Sequence, residues 1–448
     1  MRYLADKAGY RTTGIGGETI RYSNVNADAE RPEAVVESVR GPHRMGSLGE
    51  EVVLTAGAAS RLRTAPVGVT RLGEIWAGIR TPVLVFLGLR VFLSLAVVLI
   101  YPLLPVSPNG VPWSALPDQP LLDVWVKWDS GWYANIALTG YHFSAERASN
   151  IAFLPLYPMA IKALSLLVGN VWISGILVAN AAFLGSLIVL FKLTQLKLGR
   201  PAAERTVLYN SAFPSAFFFL SMYSESIYLL TVLLTFYLWE RNKGWAAGVF
   251  GGLAAVARPM GILLFLSGAA RKLFEERRRD SRLVSWDSLS LLLIPLALGV
   301  FLVYSFVAFG EPLAFLKSRD VGWSEPLSLI PLSHRELFSA LLDGTALSGG
   351  LQRLRLLDAA SAVLFLAMVV PIFKKLGSTY GIYALGSVIM PLIVTLDGLT
   401  RYVLVIFPAF MIMGSWVPKK RIAAPLLVLS AMLMALLSSM FARWYFVG

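Results

Sequence analysis

Cysteine is absent from this 448-residue chain, and histidine occurs only at His43, His142 and His334. Without cysteine there can be no disulfide, thiolate metal site or cysteine nucleophile. Three isolated histidines leave too few ligands for a histidine-rich metal centre. Charge is scarce as well. Only 15% of the residues are charged and 56% are hydrophobic, whereas soluble domains carry about 25% charged residues. No Asp-x-Asp pair falls in the loops expected outside, so nothing suggests a metal-bound nucleotide-sugar site. The N-terminus lacks the n-region and cleavage site of a signal peptide, and no Asn-x-Ser/Thr sequon occurs.

The apolar runs, by contrast, are long. Several reach roughly 20 residues, enough to cross a bilayer as a helix, and the short alternating segments of a β-barrel are missing. The expected class is an all-α polytopic membrane protein. Lys and Arg total 40 against 27 Asp and Glu, a net charge of +13. These basic residues gather in short loops between apolar runs, as the positive-inside rule asks of cytoplasmic loops. Nucleic acid is therefore not an expected partner.

Residues 1–75 are polar, Gly-rich and close to charge balance. They read as a disordered cytoplasmic arm, or in part as an over-long start with Met45 as an alternative initiator. "GIGGE" at Gly14 lacks the spacing and strand–helix context of a dinucleotide loop. A transmembrane domain is expected over 76–448. Its first span, near 82–104, follows Arg61, Arg63, Arg71 and Arg80, so it should start in the cytoplasm and leave 105–150 as a first extracytoplasmic loop. If "IAFLPLYPMAIKALSLLVG" crossed next, the span near 172–191 would carry Lys192, Lys197, Arg200 and Arg205 outside. A re-entrant or interfacial segment, broken by Pro155 and Pro158, removes that conflict.

Spans near 206–222 and 225–239 follow, then two short helices bent at Arg258-Pro259. Further spans are expected near 288–309, 355–373, 379–396, 402–417 and 423–441, with a second large outer loop over 310–354. Cytoplasmic turns carry Arg271–Arg282, Lys374-Lys375 and Lys419-Lys420-Arg421. The total is about 11 spans. This topology puts Asp129, Tyr223-Ser224-Glu225-Ser226, Arg258, the loop opening at Gly310 and Asp397–Arg401 on the outer side. Polar groups at broken helix ends on one face imply a shared wet cavity there.

Each candidate has a plainer reading beside the functional one. Asp129, between Trp128 and Trp132 with Tyr133 next, could cap a helix beginning at Ser130 in an aromatic belt. It could equally be a general base in a partly desolvated aromatic pocket, taking a proton from a sugar hydroxyl. For Glu225, the plain reading has Ser224 as N-cap and the acid complementing the helix dipole; the other is a hydroxyl or cation contact in the cavity. Arg258 could lie in an ordinary outer loop; it also interrupts an uncharged stretch, where an arginine must reach water or an anion, and a phosphate suits its guanidinium. Arg401 resembles it, but snorkelling from a helix end would also account for it. Lys127 and His142 read as solvated.

The order "KWDSGWYANIALTGY", "AFLPLYP", "FPSAFFFLSMYSESIYLL", "AAVARPMGI" and "RYVLVIFPAF" resembles the PIG-V-like mannosyltransferases, bacterial relatives of the second mannosyltransferase of GPI-anchor synthesis. The likeness runs over about residues 82–417. It implies the GT-C fold, a multi-pass membrane glycosyltransferase with an extracytoplasmic site, drawing sugar from a lipid-phosphate-linked donor. The family's Trp-Asp pair falls on Trp128 and Asp129, its YSES block on Tyr223–Ser226 and its Arg-Pro on Arg258 and Pro259. Asp129 is thereby the implied catalytic carboxylate, with Trp128, Trp132, Tyr133, Tyr223, Glu225, Arg258 and Arg401 as substrate-binding residues. Eukaryotic members usually carry His where this chain has Trp132. The implied reaction moves a hexose, mannose first, from polyprenyl phosphate to the hydroxyl of a glycan, glycolipid or protein acceptor. The implied location is the plasma membrane, and neither cofactor nor metal is strictly required. The alternatives are a transporter or lipid flippase, or a GT-C enzyme using lipid-linked arabinose or glucose. A transporter would need polar residues reachable from both sides, and no internal repeat supports duplicated halves.

Overall fold

The structure, a computed structural model, describes residues 11–13, 19–21, 67–108, 113–276, 286–323, 331–347, 350–416 and 420–448. Met45, Gly14, Arg61, Arg63, Lys419 and the end of the basic 271–282 loop lie outside these residues. The chain divides into two units, Met1–Pro66 and Val67–Gly448. Within the first, Arg11–Thr13 pairs antiparallel with Thr19–Arg21. The described residues of the second are mostly helical.

Among the described residues, five helices are long and apolar enough to cross a membrane: Trp76–Leu103, Val171–Leu198, Ser290–Phe309, Gln352–Leu376 and Arg421–Ala442. Each shows one apolar face to the outside and packs the other inward. Leu95 and Leu99 are exposed while Leu93 and Val97 are buried, the pattern of a helix whose outer face meets lipid. Sequence signals set the ends. Asn170 caps the Val171–Leu198 helix, its side chain accepting from the N–H groups of Trp172 and Ile173 at 2.9 and 3.1 Å. Gly199, at φ +84°, closes the same helix, and Pro201 opens the next.

Shorter helices fill the space between. Leu156–Val168 begins after Pro155 and has 13 residues. Its rise of about 20 Å falls short of a hydrocarbon core of about 30 Å. The hairpin of Gly244–Ala255 and Leu263–Ala270 bends at Arg258, whose backbone is extended (φ −149°) before Pro259, as a residue before proline prefers. Gly248, Gly251 and Gly252 of this hairpin press against Ser290–Ala297, and a Cβ on Gly248 would lie 2.3 Å from the Ser290 carbonyl oxygen. Small residues permit such close helix packing in an apolar bundle.

Two expected spans are not continuous helices. Over 206–222 the helix stops at Ser211, Pro214 follows, and Ala216–Phe219 turn as a short 3-10 segment. Proline removes a backbone donor and clashes with the preceding turn, so the run cannot continue. Over 402–417, the helix restarts only at Phe407, with Pro408 in its first turn. Phe217, Phe218, Phe219, Ile406, Phe407 and Phe410 are all fully buried. These apolar runs form the core of the bundle rather than its lipid-facing wall.

Gly261 packs against the backbone of Ala254 and Ala255 inside the Arg258 bend, where an added Cβ would sit 2.3 Å from the Ala254 carbonyl. Backbone cannot yield as a side chain tip can, so Gly261→Ala is expected to destabilise the protein by about 2 kcal/mol. Thermal unfolding in detergent reads this as a lowered midpoint, against one that does not fall for Gly88→Ala, where a Cβ meets open space inside a helix.

Candidate active site

Four interrupted helix ends converge. Asp129 precedes the helix Ser130–Thr139, Glu225 opens the helix Glu225–Glu240, Arg258 sits at the hairpin bend, and Arg401 lies in the single turn Leu399–Tyr402. Broken helices inside an apolar bundle are tolerated where protein or a wet cavity satisfies the freed polar groups. Here the side chains satisfy one another. Arg401 Nη2 donates to Asp129 Oδ2 at 3.1 Å, and Arg401 Nε donates to Glu225 Oε1. Arg258 Nη1 pairs with the same Glu225 oxygen at 2.5 Å. One carboxylate thus holds two guanidinium groups that would otherwise repel.

The aromatic residues frame this cluster. Arg401 stacks over Tyr223 with its guanidinium carbon 4.7 Å from the ring centre, and over Phe218 at 5.1 Å; Arg258 lies over Tyr402 at 5.3 Å. Tyr133 donates to Ser224 Oγ at 2.9 Å. Burial pushes the Tyr133 phenol up, and the Glu225 carboxylate acts in the same direction. The group is therefore a neutral donor at physiological pH.

The turn that presents Asp129 is itself constrained. Trp128 adopts φ +52°, an uncommon conformation for so bulky a residue, costing about 1–3 kcal/mol. Tyr223 pins both sides of it: its hydroxyl accepts from the Asp129 N–H at 3.2 Å and donates to the Lys127 carbonyl at 3.3 Å. The Trp128 ring packs against Trp444 and Phe446. Lys127, expected to be solvated, is buried; it pairs with Asp123 at 2.6 Å and lies over the Trp113 and Trp444 rings. The reason is local: Asp123 and Lys127 stand four apart, and Asp123 also takes the N–H groups of Ala115 and Leu116. His142 is exposed.

Glu225 does stand in the first turn of its helix, where an acid complements the dipole, but the capping and snorkelling readings do not fit this geometry. Neither Asp129 nor Ser224 makes a side-chain capping bond to the helix it precedes. Arg401 does not snorkel, since it is buried with two carboxylates.

A cavity of about 300 Å³ opens over the cluster, at the small end of the range for small-molecule sites. Asp129, Tyr133, Arg258 and Arg401 line it, with Ser224, Phe153, Tyr402 and Phe446. Trp128, Trp132, Tyr223 and Glu225 stand behind that lining; Trp132 stacks on Phe153 at 6.1 Å. Further along the wall, Arg355 grips Asp397 with two hydrogen bonds of 2.7 and 3.1 Å and reaches Glu336. Asp358 accepts from the N–H groups of Gly398 and Thr400 at 3.0 and 2.7 Å, fixing the turn that carries Arg401. Arg355 and Asp358 escaped the sequence reading, although two charges three apart at the head of an apolar run were a usable signal. Among the described residues, no three His, Cys, Asp or Glu side chains gather as a metal site would require. The cavity's acids are instead matched with arginines.

Residues 109–314 match the family model described as mannosyltransferase (PIG-V). The matched stretch holds Asp129, Tyr223–Ser226 and Arg258, while Arg401 lies beyond it. With five apolar helices of spanning length, the match supports a membrane-embedded glycosyltransferase. No curated protein matches the chain. Among solved structures, it is similar to an oligosaccharyltransferase of Archaeoglobus fulgidus in complex with Zn and sulfate, at 15% identity and a TM-score of 0.39, covering 79% of this chain and 52% of that one. It is also similar to the oligosaccharyltransferase AglB of the same organism in complex with an inhibitory peptide and a dolichol-phosphate, at 13% identity and a TM-score of 0.38, covering 80% and 55%. The chain spans about half the length of these structures.

Lys127→Met leaves Asp123 buried without its cation and is expected to cost about 3 kcal/mol. The double variant Asp123→Asn/Lys127→Met removes the stranded charge and should recover part of that loss. Denaturation midpoints of the two variants in detergent check the order.

Proposed function

We propose that this protein is an integral-membrane glycosyltransferase that moves a hexose, most simply mannose, from a polyprenyl-phosphate donor to an acceptor hydroxyl. The observation that carries the reading is the pairing of Asp129 with Arg401, 3.1 Å apart, in a cavity that Arg258 also lines. Sugar transfer from a lipid phosphate needs two things at one carbon: a base for the incoming hydroxyl and positive charge for the outgoing phosphate. Both are within reach of one bound sugar here.

In the proposed reaction the acceptor oxygen attacks the anomeric carbon from the face opposite the phosphate. The new C–O bond forms as the bond to the phosphate oxygen breaks, so the configuration inverts. Asp129 takes the hydroxyl proton. Arg401 holds Oδ2 alone, and Oδ1 accepts no hydrogen bond among the described residues, which leaves an oxygen for that proton. Arg258 and Arg401 meet the charge growing on the leaving phosphate, where preorganised donors act most strongly. Since arginine can hold a departing phosphomonoester, the reaction so written calls for no metal. The rings facing the sugar are those of Tyr133, Phe153, Tyr402 and Phe446, backed by Trp128 and Trp132. The site opens to the extracytoplasmic side of the plasma membrane, the polyprenyl tail lies along the broken helices, and the helical bundle has the GT-C fold.

Asp129→Asn keeps the shape of the side chain and most of its bond to Arg401. It is expected to lower transfer from polyprenyl-phosphate mannose by at least about 100-fold, with normal membrane insertion and thermal stability. Retained transfer would remove Asp129 from its role. Arg258→Ala should raise the apparent KM for the donor more than that for the acceptor, as steady-state kinetics with each substrate varied would report.

A further inference from the structure

We infer that Glu225 sets how tightly the cavity holds the departing lipid phosphate, by competing with it for Arg258 and Arg401. This rests on the proposal that the donor is a lipid-phosphate sugar, and it assigns Glu225 a task other than touching the sugar. The side chain of Glu225 is only 1% exposed and does not line the cavity, whereas both arginines do. The acid therefore stands behind the two cations as seen by a ligand. Its Oε1 takes both guanidinium groups, Arg258 at 2.5 Å and Arg401 through Nε. Its Oε2 is buried and has no hydrogen-bond partner among the described residues.

The charges explain the consequence. Arg258 and Arg401 against Glu225 and Asp129 sum to zero. A phosphate entering from the cavity finds two guanidinium groups already engaged from the rear, so it shares them rather than owning them. As the sugar–phosphate bond breaks, the new anion draws both cations forward. Once the lipid phosphate begins to leave, Glu225 draws them back, and its unengaged Oε2 offers a second acceptor for that return. A site holding two bare arginines would bind the product far more tightly and empty slowly. Glu225 is thus a positioning residue with a defined electrostatic sign: removing its charge should strengthen anion binding. A purely structural role gives the opposite sign, because loosened arginines bind phosphate less well.

The test uses the full chain in detergent micelles and titrates farnesyl phosphate by calorimetry, with farnesol as the uncharged control. Glu225→Gln preserves shape and an acceptor oxygen while deleting the charge. It should bind farnesyl phosphate about tenfold more tightly, a change of about 1.4 kcal/mol, and farnesol as wild type does. Glu225→Asp keeps the charge and should stay near wild type. Adding Arg258→Gln to Glu225→Gln should erase the gain. Unchanged or weaker binding by Glu225→Gln, an equal gain for farnesol, a like gain in Glu225→Asp, or a gain that survives Arg258→Gln would each overturn the inference alone. Failure of every protein, wild type included, to bind farnesyl phosphate would overturn it together with the lipid-phosphate reading.

Discussion

Two guanidinium groups sharing one buried carboxylate oxygen is the interaction on which the rest of the site depends. Each of the four charges involved would be costly in an apolar bundle if it stood alone, since desolvating an ion costs several kcal/mol even after relaxation. Glu225 makes it possible for Arg258 and Arg401 to be neighbours, and Arg401 in turn reaches Asp129. The link joins segments more than 270 residues apart in sequence. It therefore ties the first outer segment expected from the sequence to the last third of the chain, and the cavity forms where they meet.

The helices are broken because those charges must be delivered at chosen depths. A continuous apolar helix would leave no backbone turn at which to expose Asp129 or Arg401. Prolines supply the breaks at Pro214, Pro259 and Pro408, and side chains repair the polar groups thus freed: Ser215 donates to the Thr400 carbonyl at 2.7 Å, Asp358 receives the Gly398 and Thr400 N–H groups, and Tyr223 bridges the Trp128 turn. The strain at Trp128 is held by an aromatic layer and by the buried Asp123–Lys127 pair. Stability and site geometry are here the same set of contacts.

Much of the candidate site was legible in the sequence because charge is so rare in it. Glu225 and Arg258 each interrupt an apolar stretch, where an isolated charge needs a partner, and Asp129 and Arg401 stand in short polar turns between apolar runs. Which partner it takes was not legible. Hydropathy could not tell that Arg258 meets Glu225, or that Lys127 is buried rather than wet, because pairing across the bundle depends on register between distant helices. The fold was legible as a class, and the hairpin bent at Arg258-Pro259 was visible from its proline. The runs over 206–222 and 402–417 were harder. A segment buried by protein and one buried by lipid are equally apolar, so composition alone cannot separate core from span.

Displacement of the lipid phosphate in a single step leaves its mark on the sugar's anomeric carbon. The most direct measurement offers the purified protein polyprenyl-phosphate mannose, carbon-13 labelled at that carbon, with membrane extract as acceptor, and reads the product's anomeric configuration by NMR. Single-step displacement transfers the label with configuration inverted relative to the donor. Transfer with retention would contradict it, since attack from the face opposite the departing phosphate must invert that carbon.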